Sequence, residues 1–317
     1  MLNRIVEEIK AAKEMIILPH VYADGDALGS CLALGLALKK TDKRVTIYLG
    51  EEIPYIYDFL PGRELTAVYP QPVGKFDLAV AVDTGDLERL GSRLEAFSSG
   101  KVTVNMDHHG TNTEFAQLNY VDSQASASGE IIYRLIGLLG IPMDAEIATC
   151  LYTAISTDTG GFRFSNTTPE THRITAELVE KGALVSDISQ RVFETTSLQK
   201  VMLMGAAIQS LELFDSGKIA FITIGDETMK NTDAREEDCD GIVNIGRNIR
   251  GVEVAVMLRR RENGEVKVNL RSKNYVDVSA VAARNSGGGH KRAAGCTMSG
   301  SLEDVKEALL REIRGVL

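Results

Sequence analysis

The sequence is poor in cysteine and in long apolar runs. Its four cysteines lie far apart and form no C-x-x-C pair, so a disulfide framework or a thiolate zinc site is disfavoured. Scattered thiols are typical of a reducing compartment, and we expect a cytoplasmic protein. No stretch of the chain approaches about 18 apolar residues, and the charged N-terminus lacks the apolar core of a signal peptide. We therefore expect no membrane partner.

Positive charge is also scarce. The chain has 35 lysines and arginines against 44 aspartates and glutamates, which gives a net charge of −9. Proteins that hold long duplex DNA usually present a basic face, because neutralisation of phosphates drives that binding. We therefore expect no long duplex DNA partner. A short nucleotide held by metal ions and a few arginines fits this composition better.

The hydrophobic pattern of the 317 residues predicts an α/β protein with two domains. In the first half, β-branched runs of strand length alternate with stretches of helical spacing, which indicates a parallel sheet covered by helices. We predict strands at residues 15–19, 44–49, 77–82 and 101–106, and helices at 27–40, 128–140 and 144–157. The predicted organisation is a parallel-sheet domain (1–190), a helical linker (191–214) and a smaller C-terminal α/β domain (215–317).

A second strand pattern begins after the predicted linker. We predict strands at 218–224, 252–260 and 266–272, a helical stretch near 233–249, a short helix at 277–284, a loop at 287–290 and a C-terminal helix. The smaller domain therefore has a sheet of its own.

Aspartates and histidines follow three of the predicted strands in the first half, and one more aspartate ends a helix. These residues are His20, Asp24, Asp26, Asp83, Asp107, His108, His109 and Asp158. In an open parallel sheet, ligands bind at the carboxyl ends of the strands. Several converging carboxylates raise each other's pKa unless a cation neutralises them. We therefore expect two divalent metal ions there.

The kinds of ligand atom narrow the choice of metal. Carboxylate oxygens and imidazoles without thiolates favour Mn²⁺, with Mg²⁺ and Co²⁺ as alternatives. Only Gly25 separates Asp24 from Asp26, so the two carboxylates can reach different metals, and this glycine permits an unusual turn. Taken singly, an aspartate after a strand is commonly a helix cap, and a histidine pair is commonly surface. The joint pattern at one sheet edge favours metal binding.

The same residues carry a family resemblance. H-x-x-x-D-x-D, V-D-T-G-D, D-H-H and D-T-G-G-F occur in this order from His20 onwards and resemble the motifs of the DHH phosphoesterase superfamily. The segment L-R-S-K-N-Y-V-D-V-S to G-G-G-H-K-R-A-A-G resembles its DHH-associated nucleic-acid-binding domain. The compact layout is similar to the branch of oligoribonucleases (nanoRNases) that also act as 3′-phosphoadenosine-5′-phosphate (pAp) phosphatases.

The resemblance implies a role for each motif residue. His20 and Asp24 would hold the first metal, while Asp83 would bridge to a second. The remaining ligands of that second metal would be Asp26, His108 and Asp158. Asp107 would orient the histidine pair, and His109 would reach the substrate phosphate; the catalytic group would comprise Asp83, His108 and His109.

The resemblance also implies substrate contacts from the second domain. The expected residues are Arg271, Ser272, Gly287, Gly288, Gly289 and His290. Arginine can form paired hydrogen bonds with phosphate, and glycines allow close approach of the backbone. One departure concerns Asn285-Ser286, which stand where the family commonly has Phe-Gly. The resemblance further implies a homodimer as one candidate assembly.

The sequence leaves four functions open. The leading hypothesis is a two-metal phosphoesterase that hydrolyses short oligoribonucleotides to 5′-mononucleotides and removes the 3′-phosphate of pAp. The alternatives are a phosphodiesterase for cyclic or linear dinucleotides, an inorganic pyrophosphatase, and a nucleic-acid-binding module without catalysis. Sequence fixes the chemistry of such a site better than its leaving group, so substrate, polarity and base preference stay open.

Overall fold

The fold is described from a computed structural model, which covers residues 1–70, 74–261 and 263–317. The chain divides into two compact units, Met1–Thr195 and Thr196–Leu317. Each unit is built around its own six-stranded sheet. Among the described residues, no helix is both long and apolar enough to traverse a bilayer.

All six strands of the first unit run parallel, in the order β3-β2-β1-β4-β5-β6. They are β1 (Glu14–Leu18), β2 (Arg44–Leu49), β3 (Thr66–Val68), β4 (Phe76–Val82), β5 (Gly100–Asp107) and β6 (Leu118–Val121). The predicted parallel α/β fold is therefore confirmed. The short edge strands β3 and β6 were not predicted, because runs of three and four half-buried residues carry little hydrophobic pattern.

Helices pack against this sheet on the side that holds most of the core. They are α1 (Leu2–Ala11), α2 (Gly25–Lys39), α4 (Ser128–Leu139), α5 (Ala145–Asp158), α6 (Pro169–Glu180) and α7 (Val185–Ser189), whereas α3 (Leu94–Ser98) packs on the opposite side of the sheet. Alternate strand residues such as Met15 and Ile17 enter this core, whereas Ile16 and Leu18 face a smaller cluster on the other side. Helix α2 is buried along almost its whole length, so it forms the centre of the unit.

Helices α2 and α5 cross at very short distance because α2 carries glycine at two points of contact. A Cβ atom added at Gly25 would lie 2.5 Å from Thr157 Cγ2, and one at Gly29 would lie 2.5 Å from the carbonyl oxygen of Cys150. The unusual turn that Gly25 permits does not form. Gly25 is the first residue of α2, and it is needed for close packing rather than for its backbone freedom.

The second unit has a mixed sheet in the order β11-β12-β10-β9-β8-β7. Its strands are β7 (Glu212–Phe214), β8 (Ile219–Ile224), β9 (Val254–Arg260), β10 (Glu265–Ser272), β11 (Gly288–His290) and β12 (Ala293–Ser299). Its helices are α8 (Leu198–Gln209), α9 (Asp226–Thr232), α10 (Val243–Asn248), α11 (Val278–Arg284) and α12 (Leu302–Arg314). Among the described strands of this unit, β8 and β9 pair in parallel and the other neighbours pair antiparallel.

Two sequence predictions for this unit need correction. Residues 287–290, predicted as a loop, include β11, which pairs antiparallel with β12. Glycine has a low propensity for strands, so composition alone does not predict β11, which is stabilised by pairing with β12. The predicted helical stretch near 233–249 is instead divided into a 3₁₀ turn at Glu236–Cys239 and the short helix α10.

Candidate metal centre and nucleotide-binding face

Three adjacent strands bring the predicted residues of the first unit to one edge of the sheet. β1, β4 and β5 are neighbours and end on the same side because they are parallel. His20 lies just beyond β1, Asp83 directly follows β4, and Asp107 ends β5. Asp83 adopts φ 57°, an uncommon backbone conformation for a residue with a side chain, of the kind that concentrates at functional sites.

The first cluster consists of His20, Asp24 and Asp83. His20 Nε2 lies 3.8 Å from Asp24 Oδ2 and 3.7 Å from Asp83 Oδ2, beyond the usual range of N–H···O hydrogen bonds. On its other side, His20 Nδ1 donates to the carbonyl oxygen of Val21 at 2.7 Å. A carbonyl can only accept, so the proton of the neutral ring is on Nδ1. Nε2 therefore directs a lone pair towards two carboxylates.

Asp24 serves two purposes at the start of α2. Its Oδ1 atom accepts hydrogen bonds from the backbone N–H groups of Asp26 and Ala27, each at 3.1 Å, so it is the helix N-cap. Its Oδ2 atom faces His20. Asp24 can therefore cap α2 with Oδ1 while Oδ2 remains directed towards the cluster.

The second cluster consists of Asp26, Asp83 and His108, with Asp158 beside it. His108 Nε2 lies 3.8 Å from Asp26 Oδ2, 3.5 Å from Asp83 Oδ1 and 3.8 Å from Asp158 Oδ2. The Nδ1 atom of His108 faces the carbonyl oxygen of Ala125 at 3.3 Å. Asp83 thus belongs to both clusters, with one oxygen facing each histidine.

Electrostatics in this region show a shortage of positive charge. Burial and the carboxylates of Asp83, Asp158 and Asp24 raise the pKa of Asp26 well above its ordinary value. Burial raises the pKa of Asp158 to about 6; His108 opposes that shift, and Asp24 and Asp83 add to it. Carboxylates destabilise one another in this way unless a cation is present. The site therefore fits a divalent ion with oxygen and imidazole ligands.

Asp107 is occupied by hydrogen bonds on both oxygens. Its Oδ1 accepts from His109 Nδ1 at 2.7 Å and from the backbone N–H of His108 at 2.8 Å, and its Oδ2 accepts from Asn112 Nδ2 at 2.6 Å. Burial alone would lower the pKa of His109, but Asp107, Asp83 and Asp158 raise it to about 9. Asp107 therefore fixes the direction of the His109 ring.

The N-terminal end of α4 supplies contacts that the sequence analysis missed. Asp26 accepts hydrogen bonds from the backbone N–H groups of Ser128 at 2.7 Å and Gly129 at 2.9 Å. The Ser128 hydroxyl donates to Asp83 Oδ1 at 3.0 Å. Asn166 Nδ2 lies 3.2 Å from Asp158 Oδ2. A serine at a predicted helix start was the available signal for Ser128, whereas Asn166 had none.

The structure distributes the predicted residues of the second unit over both faces of its sheet. Arg271 and His290 are register partners of the same β12 residue, Ala293. Ser272 is buried on the opposite face, and its hydroxyl donates to the carbonyl oxygen of Val276 at 2.6 Å. That contact with the backbone stabilises the turn after β10.

The three glycines of the second unit have different roles. A Cβ at Gly287 would lie 2.2 Å from the carbonyl oxygen of Gly295, and Gly289 adopts φ 133°. Both positions require glycine for the backbone itself. Gly288 has open space on the side where a Cβ would be. The preceding Ser286 adopts φ 56°, a conformation that suits the glycine expected there from the family.

Comparisons with known proteins agree with this architecture. A model of the DHH family N-terminal domain matches residues 14–155, and a model of the DHHA1 domain matches residues 217–317. The bifunctional oligoribonuclease and PAP phosphatase NrnA of Thermus thermophilus is 37% identical, over 98% of this chain and 93% of that relative. This chain belongs to the DHH family. The fold, the family resemblance and the expectation of a phosphoesterase are thereby confirmed.

Two further comparisons extend over nearly the whole chain. NrnA of Bacillus subtilis is 27% identical over 94% of this chain and 93% of that relative. The crystal structure of an exopolyphosphatase-related protein from Bacteroides fragilis is similar with a TM-score of 0.90 at 28% identity. That comparison covers 98% of this chain and 95% of the other, so the similarity includes both units.

Proposed function

We propose that this DHH-family chain hydrolyses short oligoribonucleotides to 5′-mononucleotides and removes the 3′-phosphate of pAp. The observation that carries the proposal is the arrangement of His20 and His108. Each directs Nε2 towards carboxylates at 3.5–3.8 Å while Nδ1 faces a backbone carbonyl. Histidines that ligate metals are commonly oriented in this way through the second ring nitrogen. The relatives in Thermus thermophilus and Bacillus subtilis, named for both activities, support this choice of substrates.

We assign two divalent ions to the strand edge, with Mn²⁺ as the first candidate and Mg²⁺ or Co²⁺ as alternatives. His20 and Asp24 would hold one ion, and Asp83 would hold both. The other ion would be completed by the ligands Asp26, His108 and Asp158. When bound, such ions lower the pKa of water and offset the charge of the phosphate under attack.

The protein's own groups would position the substrate and balance its charge. The raised pKa of His109 favours an imidazolium, whose Nε2–H can donate to a phosphate oxygen while Nδ1–H remains bonded to Asp107. Ser128 holds Asp83 in place, and the α4 backbone N–H groups hold Asp26. These groups can act without reorganisation during the reaction.

The second unit would bind the nucleotide portion of the substrate. We assign this role to Arg271, His290 and the Gly287–Gly289 backbone, with Ser272 supporting the turn. Arg271 is half-buried on the sheet face, where its guanidinium is available for an anion. Arg271→Ala is expected to raise KM for a dinucleotide about tenfold or more with little change in Mn²⁺ affinity. Steady-state kinetics and metal titration of the variant check this result.

Further expectations about the whole protein remain part of this proposal. We propose a homodimer, no partner among long duplex DNAs or membranes, and a cytoplasmic location compatible with four buried free thiols. Mass measurement in solution checks the dimer. The division into a DHH domain (1–190), a helical linker (191–214) and a substrate-binding domain (215–317) is likewise proposed, and limited proteolysis checks its boundaries.

The central experiment is product analysis with Mn²⁺ and with chelator. The substrates are an RNA dinucleotide, a long RNA oligonucleotide, pAp, a cyclic dinucleotide and pyrophosphate. Metal-dependent conversion of the dinucleotide and pAp, with the long RNA slow, is expected. Faster turnover of the cyclic substrate or of pyrophosphate would replace the proposed substrates. Nucleotide binding without turnover of any of the five would indicate a binding module.

A further inference from the structure

An exposed aromatic residue lies between two of the assigned metal ligands. Tyr22 follows His20 by two residues and precedes Asp24 by two, and two residues of chain span at most about 7 Å. Tyr22 is 78% exposed, so its ring has little contact with its own chain. Single exposed hydrophobic residues are common on protein surfaces. The backbone of Tyr22, however, is held in an unusual way.

The backbone of Tyr22 is strained and is fixed by a carboxylate. Its φ is 55°, in the left-handed region that a bulky residue rarely adopts. Its N–H group donates to both carboxylate oxygens of Glu51, at 3.2 Å and 3.1 Å. Such conformations persist where the surroundings enforce them, and they concentrate at active sites and ligand-binding segments.

Val21, the residue before Tyr22, lies where the segments after three strands meet. Its backbone N–H donates to the carbonyl oxygen of Arg89, in the turn after β4, at 2.8 Å. Its Cγ1 atom would lie 2.7 Å from a Cβ at Gly91 and 3.6 Å from a Cβ at Gly50, which follows β2. The turn that carries Tyr22 is therefore packed against two neighbouring loops and has little freedom to move.

A buried guanidinium supports the carboxylate that binds Tyr22. Arg93 is fully buried, and its Nη1 donates to the carbonyl oxygen of Tyr48 at 2.8 Å. A Cβ at Gly50 would lie 3.5 Å from Arg93 Nε. Burial lowers the pKa of Arg93, and the charge of the adjacent Glu51 opposes that shift. A buried cation is costly without an opposite charge nearby, so Arg93 favours a fixed position for Glu51.

These contacts hold in place a ring that contributes little to the core. An aromatic ring beside a phosphate-binding site can stack on a nucleobase. Stacking of this kind accepts all bases, because each base has a π face. The ring of Tyr22 is attached to the same short turn as His20 and Asp24, so it is close to any phosphate that the metal ions bind.

We propose that Tyr22 is a stacking platform for one nucleobase of the substrate and that Glu51 is its positioning residue. The base belongs to a nucleoside that adjoins the phosphate at the metal centre. The platform selects nucleotides over bare phosphates or pyrophosphate without selecting a particular base. This inference rests on the proposed function, because that function places the substrate phosphate at the metal centre.

The main test is Tyr22→Gly, which removes the ring and the backbone strain together because glycine adopts a positive φ readily. The Tm of the variant should equal or exceed that of wild type, and its Mn²⁺ affinity should stay within about twofold. KM for an RNA dinucleotide should rise by about fivefold to 100-fold with kcat unchanged, as expected from the loss of one stacking contact. A structural role of the ring would instead lower Tm or Mn²⁺ affinity and would overturn the proposal.

Further variants at the same position separate stacking from simple hydrophobic contact. Tyr22→Phe and Tyr22→Trp should keep KM within about threefold of wild type, whereas Tyr22→Leu should behave like Tyr22→Gly. Dinucleotides that lack the base at the 5′ or the 3′ end should identify the stacked base. The effect of Tyr22→Gly should disappear with one of these two substrates. If KM is unchanged in Tyr22→Gly, or if the effect persists with both abasic substrates, the stacking platform is refuted.

A double-mutant cycle tests the role of Glu51. Glu51→Ala should raise KM, but it should have no further effect when it is combined with Tyr22→Gly, because Glu51 acts through Tyr22. Glu52→Ala is the matched control, since Glu52 is the exposed next residue, and its KM should match wild type. If Glu51→Ala raises KM equally with and without Tyr22, its positioning role is refuted.

Binding measurements separate this inference from the proposed function. The ligand is a dinucleotide in which a methylene group replaces the leaving oxygen, titrated into the full chain with Mn²⁺. If Tyr22→Gly weakens this binding as expected but short RNA and pAp are not hydrolysed, the platform stands and the proposed function fails. If both are hydrolysed and Tyr22→Gly changes neither KM nor the binding of the analogue, the function stands and the platform is refuted.

Discussion

The two units concentrate opposite charges by the same structural means. In the first unit, parallel strands and the α2–α5 crossing collect carboxylates until burial and mutual repulsion raise the pKa of Asp26 and Asp158. In the second, a strand face and the close packing of α10 place Arg247 beside Arg271. Each arrangement is costly without its counter-ion. The comparison teaches that repulsion among like charges favours a bound cation in the first unit and a bound anion in the second.

The largest expected effect comes from removing the carboxylate shared by both clusters. Asp83→Asn preserves shape but removes the charge that faces both His20 and His108. Turnover of a dinucleotide should fall by about 10³-fold or more, because metal-derived stabilisation of several kcal/mol is lost. Mn²⁺ binding, followed by electron paramagnetic resonance, should weaken together with turnover.

Asp86→Asn is the control for this substitution. Asp86 lies three residues away and only caps a turn, where its Oδ1 accepts from the backbone N–H of Arg89 at 2.9 Å. Its Mn²⁺ affinity and turnover should match wild type. Near-wild-type turnover in Asp83→Asn would contradict the cation half of the comparison.

A smaller effect is expected from the group that positions Asp83. Ser128→Ala removes the hydroxyl that donates to Asp83 Oδ1 at 3.0 Å but leaves the backbone N–H that binds Asp26. Loss of such a supporting contact typically weakens metal affinity by about 10–100-fold. Metal titration checks the loss, and Ser128→Thr should restore part of it because the hydroxyl returns.

The neighbouring Ser123 tests whether the effect of Ser128 is specific. Ser123 is an exposed residue in the loop before α4, and Ser123→Ala should leave Mn²⁺ affinity unchanged. If both serine variants lose affinity equally, general loosening of this loop explains the result better than positioning of Asp83.

The sequence predicted the carboxylate and histidine clusters of the first unit better than the guanidinium pair of the second. Aspartates and histidines at the ends of apolar strands mark a shared edge without knowledge of side-chain directions. Arg247 gave no such signal, because its proximity to Arg271 depends on how closely α10 packs against β9. β11 was missed for a related reason. Its glycines have low strand propensity, and the segment forms a strand because it pairs with β12.

The glycine crossings permit a direct comparison of the two units. Gly25→Ala should destabilise the protein by about 1–3 kcal/mol, because the new Cβ would lie 2.5–2.9 Å from side-chain atoms of Thr157. Gly246→Ala should cost less, since its nearest atoms are 3.1 Å away or farther. Urea unfolding of the metal-free protein measures both changes.

Gly137 supplies a control of opposite sign. It lies in the last turn of α4 with open space where a Cβ would be, so Gly137→Ala should stabilise the protein by about 0.5–1 kcal/mol. Thr157→Ala should also relieve part of the cost of Gly25→Ala when the two are combined. Additive effects of those two substitutions would show that the α2–α5 crossing is less tight than the structure indicates.

The smallest expected effect concerns the stability of Asp158→Asn relative to wild type. The order of the two proteins should depend on pH and on bound metal. Asp158 has a pKa of about 6 in the folded protein against an ordinary value of 3.8, so the folded state binds more protons than the unfolded state between these values. The metal-free protein should therefore lose stability as the pH rises from about 4 to 6, and Asp26 acts in the same direction. Asp158→Asn removes the contribution of Asp158.

At pH 7 in chelator, the Tm of Asp158→Asn should exceed that of wild type by about 2–4 °C for each kcal/mol of relieved repulsion. With Mn²⁺ the order should reverse, because only the complete ligand set gains stability from strong metal binding. Thermal melts at pH 4.5 and 7, with and without Mn²⁺, decide between these outcomes. If the variant is less stable than wild type in chelator at pH 7, hydrogen bonds to Asp158, such as that from Asn166, outweigh the repulsion among the carboxylates. The contrast between the two units would then be weaker than their charges imply.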